Sequence, residues 1–175
     1  MKGPFRADHV GSLLRPASLL EKREEWKAGK ISEAVLRDSE NECIAEIVKR
    51  EQEVGIGAVT DGEFRRESFH FDFINKICGI ETNFTLKGAF EQGEQTKAGG
   101  EKMVPLTVEI KDRMSLPSEG IGVENFKYLA TVAEEGTTPK VTMPSPTMTH
   151  FRGGRDAISR DAYPEMDLFF ADLSA

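Results

Sequence analysis

The sequence predicts an α/β fold in which short strands pair in parallel and amphipathic helices cover them. Two observations lead to this prediction. Three short apolar segments alternate with longer segments of helical periodicity, and polar residues directly follow each short segment. Strands separated by helices pair in parallel through right-handed crossovers. A chain of 175 residues has the length of one domain of ordinary size, so we assign residues 1–175 to one domain.

The first 66 residues predict a strand, two helices and a second strand. Residues 5–10 are the first extended segment, and Pro16 opens a surface helix that continues to residue 28. Ser32 is a suitable N-cap for a long helix whose apolar residues recur at intervals of three and four. Gly55 ends that helix, and residues 58–60 are a brief buried strand.

The remaining residues predict an insertion, a third strand and two more helices. Around residues 80–115, alternating segments flank a glycine-rich stretch, which predicts a β-hairpin-like insertion. One apolar face predicts a helix over residues 123–135, and a strand is expected over residues 139–144. Tyr163 and Pro164 open a last helix with no stop signal at its end, which we interpret as a truncated chain.

The charge and hydropathy of the chain exclude several classes of function. Thirty acidic residues against 23 basic ones give a net charge of -7, so no general field attracts nucleic acid or anionic lipid. No apolar run could cross a bilayer, and the N-terminus lacks the form of a signal peptide. We therefore expect a cytoplasmic protein with no nucleic-acid or membrane partner.

Cysteines and histidines do not predict a metal site within this chain. Cys43 and Cys78 lack CxxC spacing, and buried free thiols are favoured over a disulfide. His9, His70 and His150 lie far apart without a paired cysteine, so a zinc site made only of these residues is not expected. Phosphate-binding, dinucleotide-binding and metalloprotease motifs do not occur.

Polar residues at the strand ends are the candidates for function, because ligands in α/β folds bind beyond the carboxyl ends of the strands. His9 and Ser12 follow the first strand, and Asp61 and Glu63 follow the second. Glu63 could bind an ammonium group or act as a base; alternatively, it is a solvated acid paired with a neighbouring arginine. His9 is either a hydrogen-bonded structural histidine or a ligand contact, and Ser12 could simply begin the next turn.

Three passages together resemble the cobalamin-independent methionine synthase family. They are RADHVGSLLRP at residues 6–16, VTDGEFRR at residues 59–66 and MPSPT at residues 143–147. The resemblance is greater to the short single-barrel bacterial branch, which is similar to the C-terminal catalytic half of the two-barrel enzymes. It implies that the chain is the N-terminal portion of a (β/α)8 TIM-type barrel, a fold that usually needs about 250 residues.

The resemblance also implies a reaction. Enzymes of this family transfer a methyl group from methyltetrahydrofolate to the sulfur of homocysteine, giving methionine. A zinc ion activates the thiol, whose free pKa of about 8.5 would otherwise leave little thiolate at neutral pH. Methyltetrahydrofolate is therefore the expected co-substrate, and zinc the expected cofactor of the full-length form.

Site residues follow from the resemblance position by position. Val10, Gly11 and Ser12 resemble the turn that holds the homocysteine carboxylate and amino end, and Glu63 matches the acid that binds the amino group. His9 and Asp61 are possible substrate contacts. Phe151 falls near a tryptophan that packs on the pterin in the larger enzymes.

The sequence also departs from the family's pattern. The family's zinc ligands include a His-x-Cys pair, which does not occur here, so no catalytic residue or metal ligand is assigned. The chain alone is expected to be inactive, and a half barrel is expected to associate with a second copy or with the missing C-terminal half. Two alternatives remain open: a non-catalytic small-molecule-binding or interaction module, and zinc-dependent alkyl transfer to another thiol.

Overall fold

The computed structural model describes residues 7–83 and 107–175. The glycine-rich middle of the expected insertion and the start of the first expected strand lie outside these residues. In chain order the helices and strands are α1 (Ala17–Lys27), α2 (Glu33–Glu53), β1 (Ala58–Val59), α3 (Phe71–Ile74), β2 (Cys78–Thr82), β3 (Val108–Ser115), α4 (Val123–Val132), β4 (Thr138–Pro139), two 3-10 helices (Pro146–Thr149 and Gly154–Ala157) and α5 (Met166–Ser174).

The chain forms two compact units. Unit 1 comprises Met1–Arg66 and Gly122–Thr142, and unit 2 comprises Glu67–Ile121 and Met143–Ala175. Each unit has its own apolar core. The buried core residues of unit 1 are Leu19, Leu36, Ile44, Val48, Val59, Phe64 and Leu129, and those of unit 2 are Ile110, Met114, Ile158, Tyr163 and Phe169.

Helix α2 begins and ends where the sequence signals predict. The Ser32 hydroxyl accepts a hydrogen bond from the Val35 backbone N–H at 3.4 Å, which caps the helix N-terminus. The last helical residue is Glu53, and Gly55 continues the chain with a φ of 84° that glycine adopts readily. The chain thereby turns towards β1.

Strands β1 and β4 pair in parallel in unit 1. Ala58 lies opposite Thr138, and Val59 lies opposite Pro139. The two strands are separated in sequence by helices, so the predicted α/β class with parallel pairing is confirmed for this pair. That the chain is part of a closed barrel stays a prediction.

Strands β2 and β3 pair antiparallel in unit 2, as the hairpin-like prediction requires. Ile80 lies opposite Ile110, and Thr82 lies opposite Val108. The register is irregular between Cys78 and Ile80, where Gly79 has a φ of 82°. Residues 110–115 of β3 thus lie opposite only residues 78–80 of β2, and glycine adopts the left-handed backbone at this irregularity.

Several predicted boundaries are wrong. Residues 7–10 are not a strand, because the Asp8 side chain accepts from the His9 N–H and Lys140 binds the His9 carbonyl, which occupies groups that a neighbouring strand would use. Strand β4 ends at Pro139 rather than at residue 144. Helix α4 ends at Val132 rather than at residue 135. Both cysteines are free as predicted, but neither is buried: Cys43 is half-buried and Cys78 is exposed.

None of the helices within residues 7–83 and 107–175 is both long enough and apolar enough to cross a membrane.

An ion pair and a tyrosine connect α5 to β3 in unit 2. Arg113 donates to both carboxylate oxygens of Asp172, at 2.5 and 2.6 Å. The Tyr163 hydroxyl donates to Asp172 at 2.7 Å and accepts from the Met114 N–H at 2.6 Å. The bonds from Arg113 and then Tyr163 lower the pKa of Asp172 from 3.8 to about 2.

This lowered pKa predicts an acid-dependent loss of stability. A carboxylate with a lower pKa in the folded than in the unfolded chain stabilises the fold above the unfolded value, and that contribution is lost as the pH falls towards the folded value. We therefore expect the stability difference between wild type and Asp172→Asn to be largest above pH 5 and to shrink as the pH falls to about 2. Urea unfolding of wild type and Asp172→Asn at pH values from about 2 to above 5 measures this difference. The exposed Asp161→Asn is the control, and a difference that is independent of pH would contradict the prediction.

Candidate functional site

Glu63 lies in a tight turn that directly follows β1. Gly62 and Glu63 both have left-handed backbone, with φ values of 61° and 55°. A Cβ at Gly62 would lie 2.9 Å from the Phe64 ring, so the turn needs glycine there. A non-glycine residue with positive φ is uncommon, and such conformations persist where the surrounding structure fixes them. Glu63 is therefore in a conformation that its neighbours must hold.

The Asp61 side chain is one of the neighbours that hold Glu63 in this conformation. Its Oδ1 accepts a hydrogen bond from the Glu63 N–H at 2.9 Å, and its carbonyl accepts from the Phe64 N–H at 3.1 Å. A side chain that bonds its own backbone two residues on forms an Asx turn. In this structure the Asp61 side chain therefore shapes the turn that carries Glu63.

The Glu63 carboxylate is buried among hydroxyl and guanidinium groups, which we call the Glu63 cluster: Ser12, Glu63, Arg66 and Thr142. Ser12 Oγ donates to Glu63 Oε2 at 2.6 Å, and Thr142 Oγ1 donates to Oε1 at 2.6 Å. Arg66 Nη1 lies 3.5 Å from Oε1. Only 3% of the surface of Glu63 is exposed. The alternative of a solvated loop acid is therefore wrong, although the pairing with an arginine is present.

The Glu63 cluster can accept one more donor. A carboxylate has about four lone-pair sites, and the two hydroxyls and the guanidinium leave capacity for another N–H group. Charge-assisted bonds to a buried carboxylate are stronger than bonds between neutral groups. A ligand ammonium group is chemically suited to this position.

Arginine side chains hold the backbone around Glu63. Arg15 Nη2 donates to the carbonyls of Glu63 and Arg66, at 3.1 and 2.6 Å. Arg23, which is buried, donates to the carbonyls of Phe64 and Arg66. These carbonyls follow the last residue of β1, so the guanidinium groups replace the hydrogen bonds that a sheet would supply. Arg15 and Arg23 thereby both hold this turn.

The His9 imidazole and Lys140 hold the segment before Ser12. Nε2 of His9 lies 2.6 Å from the Gly11 carbonyl, and the Lys140 ammonium group donates to Asp8 Oδ1 at 2.5 Å and to the His9 carbonyl. The bond from Lys140 lowers the pKa of Asp8. His9 therefore bonds within its own turn in this structure.

The predicted binding turn is joined directly to the Glu63 turn. The Leu13 N–H donates to the Gly62 carbonyl at 3.0 Å, so Ser12 is brought alongside Glu63. Val10 is 76% exposed, and a Cβ at Gly11 would meet no atom within 4 Å. Among the residues that the structure describes, none covers Val10 or the Cβ position of Gly11, next to Ser12 of the Glu63 cluster.

Phe151 belongs to unit 2. Its ring is 55% exposed, and the Arg152 guanidinium lies 5.4 Å from the ring centroid. An exposed aromatic ring covered by an arginine is an ordinary surface arrangement. Its predicted pterin contact stays a prediction.

Sequence reasoning missed Thr142 and Arg15. The strand predicted over residues 139–144 placed Thr142 inside a strand, whereas β4 ends at Pro139 and Thr142 lies just beyond its carboxyl end. Parallel pairing with β1 brings that end to the same edge of the sheet as Glu63. The sequence alone does not place Thr142 after a strand, because the end of β4 depends on its pairing with β1.

The residues that the structure describes do not supply a metal site. Within residues 7–83 and 107–175, no group of three or more His, Cys, Asp or Glu side chains is arranged to hold a metal ion. The described side chains therefore do not match the thiolate and imidazole ligand set that zinc prefers.

Sequence comparison identifies relatives that are longer than this chain. Two uncharacterized proteins of Bacillus subtilis, YxjH and YxjG, are 37% and 40% identical over 173 and 174 residues, which is 99% of this chain and 43% of each relative. Methionine synthase of Sulfolobus acidocaldarius is 33% identical over 72 residues, which is 41% of this chain and 21% of that protein. No protein-family model matches.

Solved structures give the same resemblance. A Listeria monocytogenes protein assigned as a vitamin B12-independent methionine synthase superposes with a TM-score of 0.74 and 31% identity, over 99% of this chain and 46% of that one. A B12-independent methionine synthase from Shewanella sp. superposes with a TM-score of 0.51 and 17% identity, over 83% and 41% of the two chains, and so shares the fold. The resemblance inferred from the three sequence passages is confirmed, and this chain spans less than half the length of these relatives.

Proposed function

We propose that this chain carries the amino-acid-binding part of a homocysteine S-methyltransferase, with Glu63 binding the ammonium group of homocysteine. The observation that supports this most is the buried Glu63 carboxylate, oriented by hydroxyl groups from two separate segments. The similarity to methionine synthases supplies the reaction class. Methyltetrahydrofolate as the methyl donor follows from the same similarity.

The Glu63 cluster suits the ammonium end of an amino acid. Ser12 and Thr142 each bond one carboxylate oxygen at 2.6 Å, so the plane of the carboxylate is fixed before a ligand arrives. A fixed acceptor loses little conformational entropy on binding. By the same similarity, we propose that the adjoining turn at residues 10–12 binds the ligand carboxylate through its backbone N–H groups. Together they provide complementary partners for both charged ends of an amino acid.

No zinc-dependent step is assigned to this chain. The family uses zinc to generate a thiolate, but the described residues do not fit the metal, so no step is assigned through it. The proposed role of this chain is to bind and orient the amino-acid end of the substrate. Methyl transfer is proposed only for a longer form that also contains the metal ligands. Association of this chain with a second copy or with such a C-terminal half remains a proposal.

A second candidate is a non-catalytic module that binds a small amino compound. It is favoured by the combination of an intact Glu63 cluster and no metal-ligand group among the described residues. Alkyl transfer to a thiol other than homocysteine is a third. A competition experiment distinguishes the acceptors. It measures how well homocysteine, cysteine and 2-mercaptoethanesulfonate displace one another from the protein.

Glu63→Gln is expected to weaken homocysteine binding about 10- to 100-fold. The variant keeps the size of the side chain but removes the charge, and a hydrogen bond to a charged group contributes about 1.5–3 kcal/mol. Titration calorimetry of the 175-residue chain with L-homocysteine under reducing conditions measures the loss. N-acetyl-homocysteine, which lacks the ammonium group, should bind wild type and variant equally.

Glu21→Gln is the matched control, because Glu21 is an exposed acid on α1 in the same unit. This variant should bind homocysteine as wild type does. Equal affinity of wild type and Glu63→Gln for homocysteine would rule out the proposed ammonium site.

A further inference from the structure

A second buried carboxylate lies behind the Glu63 turn and has no part in the function proposed above. Glu51 is in the last turn of α2 and only 4% exposed. A negative charge near a helix C-terminus is unfavourable, and burial of an acid is costly. Burial raises the pKa of Glu51, against the opposing effect of its bonds to Thr60. An acid at this position therefore requires specific partners.

Thr60 supplies those partners. Its backbone N–H donates to Glu51 Oε2 at 2.9 Å, and its hydroxyl donates to Oε1 at 3.2 Å. Thr60 is itself buried and directly follows β1. Both oxygens of Glu51 are thus engaged by the first residue of the segment that leads to Glu63.

The Thr60 hydroxyl also connects Glu51 to the turn that carries Glu63. Its oxygen accepts a hydrogen bond from the Gly62 N–H at 3.1 Å while its proton is donated to Glu51. The Gly62 carbonyl in turn accepts from the Leu13 N–H at 3.0 Å, next to Ser12. Hydrogen bonds, together with the backbone of residue 62, therefore connect Glu51 to the turn that carries Glu63 and to Leu13, next to Ser12.

The structure assigns to Glu51 the role of a positioning residue for Glu63, acting through Thr60 and Gly62. The left-handed φ of 55° at Glu63 needs such a restraint, because an isolated chain would leave that region. The Thr60 hydroxyl, which donates to Glu51, accepts from the Gly62 N–H, and Asp61 Oδ1 accepts from the Glu63 N–H. This inference rests on the proposed function only in that Glu63 is taken as the ammonium-binding group.

Thr60→Val tests the inference, with Thr60→Ser as its matched control. Valine has nearly the shape of threonine and keeps the backbone bond to Glu51, but it removes the hydroxyl that links Glu51 to Gly62. Serine keeps that hydroxyl. Glu51→Ala is the second variant, because it removes the acceptor of the Thr60 hydroxyl and should also speed exchange at Gly62 and lower the preference for the free amine. Glu51→Gln is its matched control, because its amide can still accept from the Thr60 N–H and donate to the Thr60 hydroxyl.

Two readouts are measured on the full 175-residue chain. Amide hydrogen exchange by NMR reports the Gly62 and Glu63 N–H groups, and calorimetry reports the preference for L-homocysteine over N-acetyl-homocysteine. In Thr60→Val we expect about tenfold faster exchange at Gly62, which corresponds to the loss of one buried hydrogen bond, and about a tenfold smaller preference for the free amine. Thr60→Ser and Glu51→Gln should keep both values close to wild type.

The outcomes separate the inference from the proposed function. If Thr60→Val lowers the melting temperature but leaves exchange at Gly62 and Glu63 unchanged, Glu51 merely connects α2 to β1 and the inference is wrong. If wild type shows no preference for the free amine, the proposed function fails, and the exchange rates alone decide whether Glu51 holds the turn. Faster exchange at Gly62 with an unchanged amine preference would contradict the positioning role.

Discussion

Glu40→Ala is expected to lower the free energy of unfolding by about 3 kcal/mol, because it leaves buried arginine charge without its carboxylate. Glu40 Oε2 lies 3.0 Å from Arg65 Nη1, and Oε1 lies 3.6 Å from Arg23 Nη2. The side chains of all three residues are less than 10% exposed. Removing one partner of a buried ion pair costs about 3–5 kcal/mol. Arg65 keeps a bond to Asn41, which favours the lower end of that range.

Urea unfolding at pH 7 measures the loss. The control is Glu42→Ala, because Glu42 is an exposed acid on the same helix and should change the stability by less than about 0.5 kcal/mol. Glu40→Gln should lose less than Glu40→Ala, since the amide oxygen still accepts from Arg65. A loss below about 1 kcal/mol for Glu40→Ala would mean that Asn41 and the other neighbours satisfy the arginines without Glu40.

Gly79→Ala should destabilise unit 2 by about 3 kcal/mol. An added Cβ would lie 2.5 Å from the Arg113 carbonyl oxygen and 2.7 Å from that of Asp112, both of which are backbone atoms of β3 that cannot rotate away. Overpacking of this kind costs about 1–3 kcal/mol. The φ of 82° adds roughly 1–2 kcal/mol of strain for a residue with a side chain.

Gly154→Ala separates the two contributions. Gly154 also has a positive φ, of 57°, but an added Cβ there would meet no atom within 4 Å. This control should therefore lose only the strain contribution, about 1–2 kcal/mol. Equal losses in the two variants, measured by urea unfolding, would show that β3 moves to accommodate the extra carbon.

Helices α1 and α2 could be predicted because their signals are local. Ser32 and Gly55 bound α2 in sequence, and the observed helix follows them closely.

The length of β4 could not be predicted from such local signals. β1 offers only Ala58 and Val59 for pairing before its chain turns away at Asp61, so the rest of the apolar segment after Pro139 has no strand to pair with. The length of a strand depends on its partner, and that information is not local.

Part of the candidate site was predictable because its signals are also local in the sequence. Ser12 and Glu63 are polar residues after short apolar segments, and the structure brings them into direct contact. The buried acids of α2 were missed because glutamate on a helix is usually solvated. A signal was present: Glu40 and Glu51 continue the spacing of Ile44 and Val48 along the buried face. Acids that interrupt an apolar stripe indicate buried polar contacts.

The parallel pair of β1 and β4 also sets the order of events when the chain is made. Ala58 pairs with Thr138, about 80 residues later in the sequence. At a translation rate of roughly 5–20 residues per second, a ribosome needs about 4–16 s to synthesise that interval. Thr142 is made after the interval, so Glu63 lacks one of its two hydroxyl partners throughout this time. A nascent chain released before Thr142 is made would carry the Glu63 carboxylate without the hydrogen bond from the Thr142 hydroxyl. That chain would be exposed to chaperones and proteases.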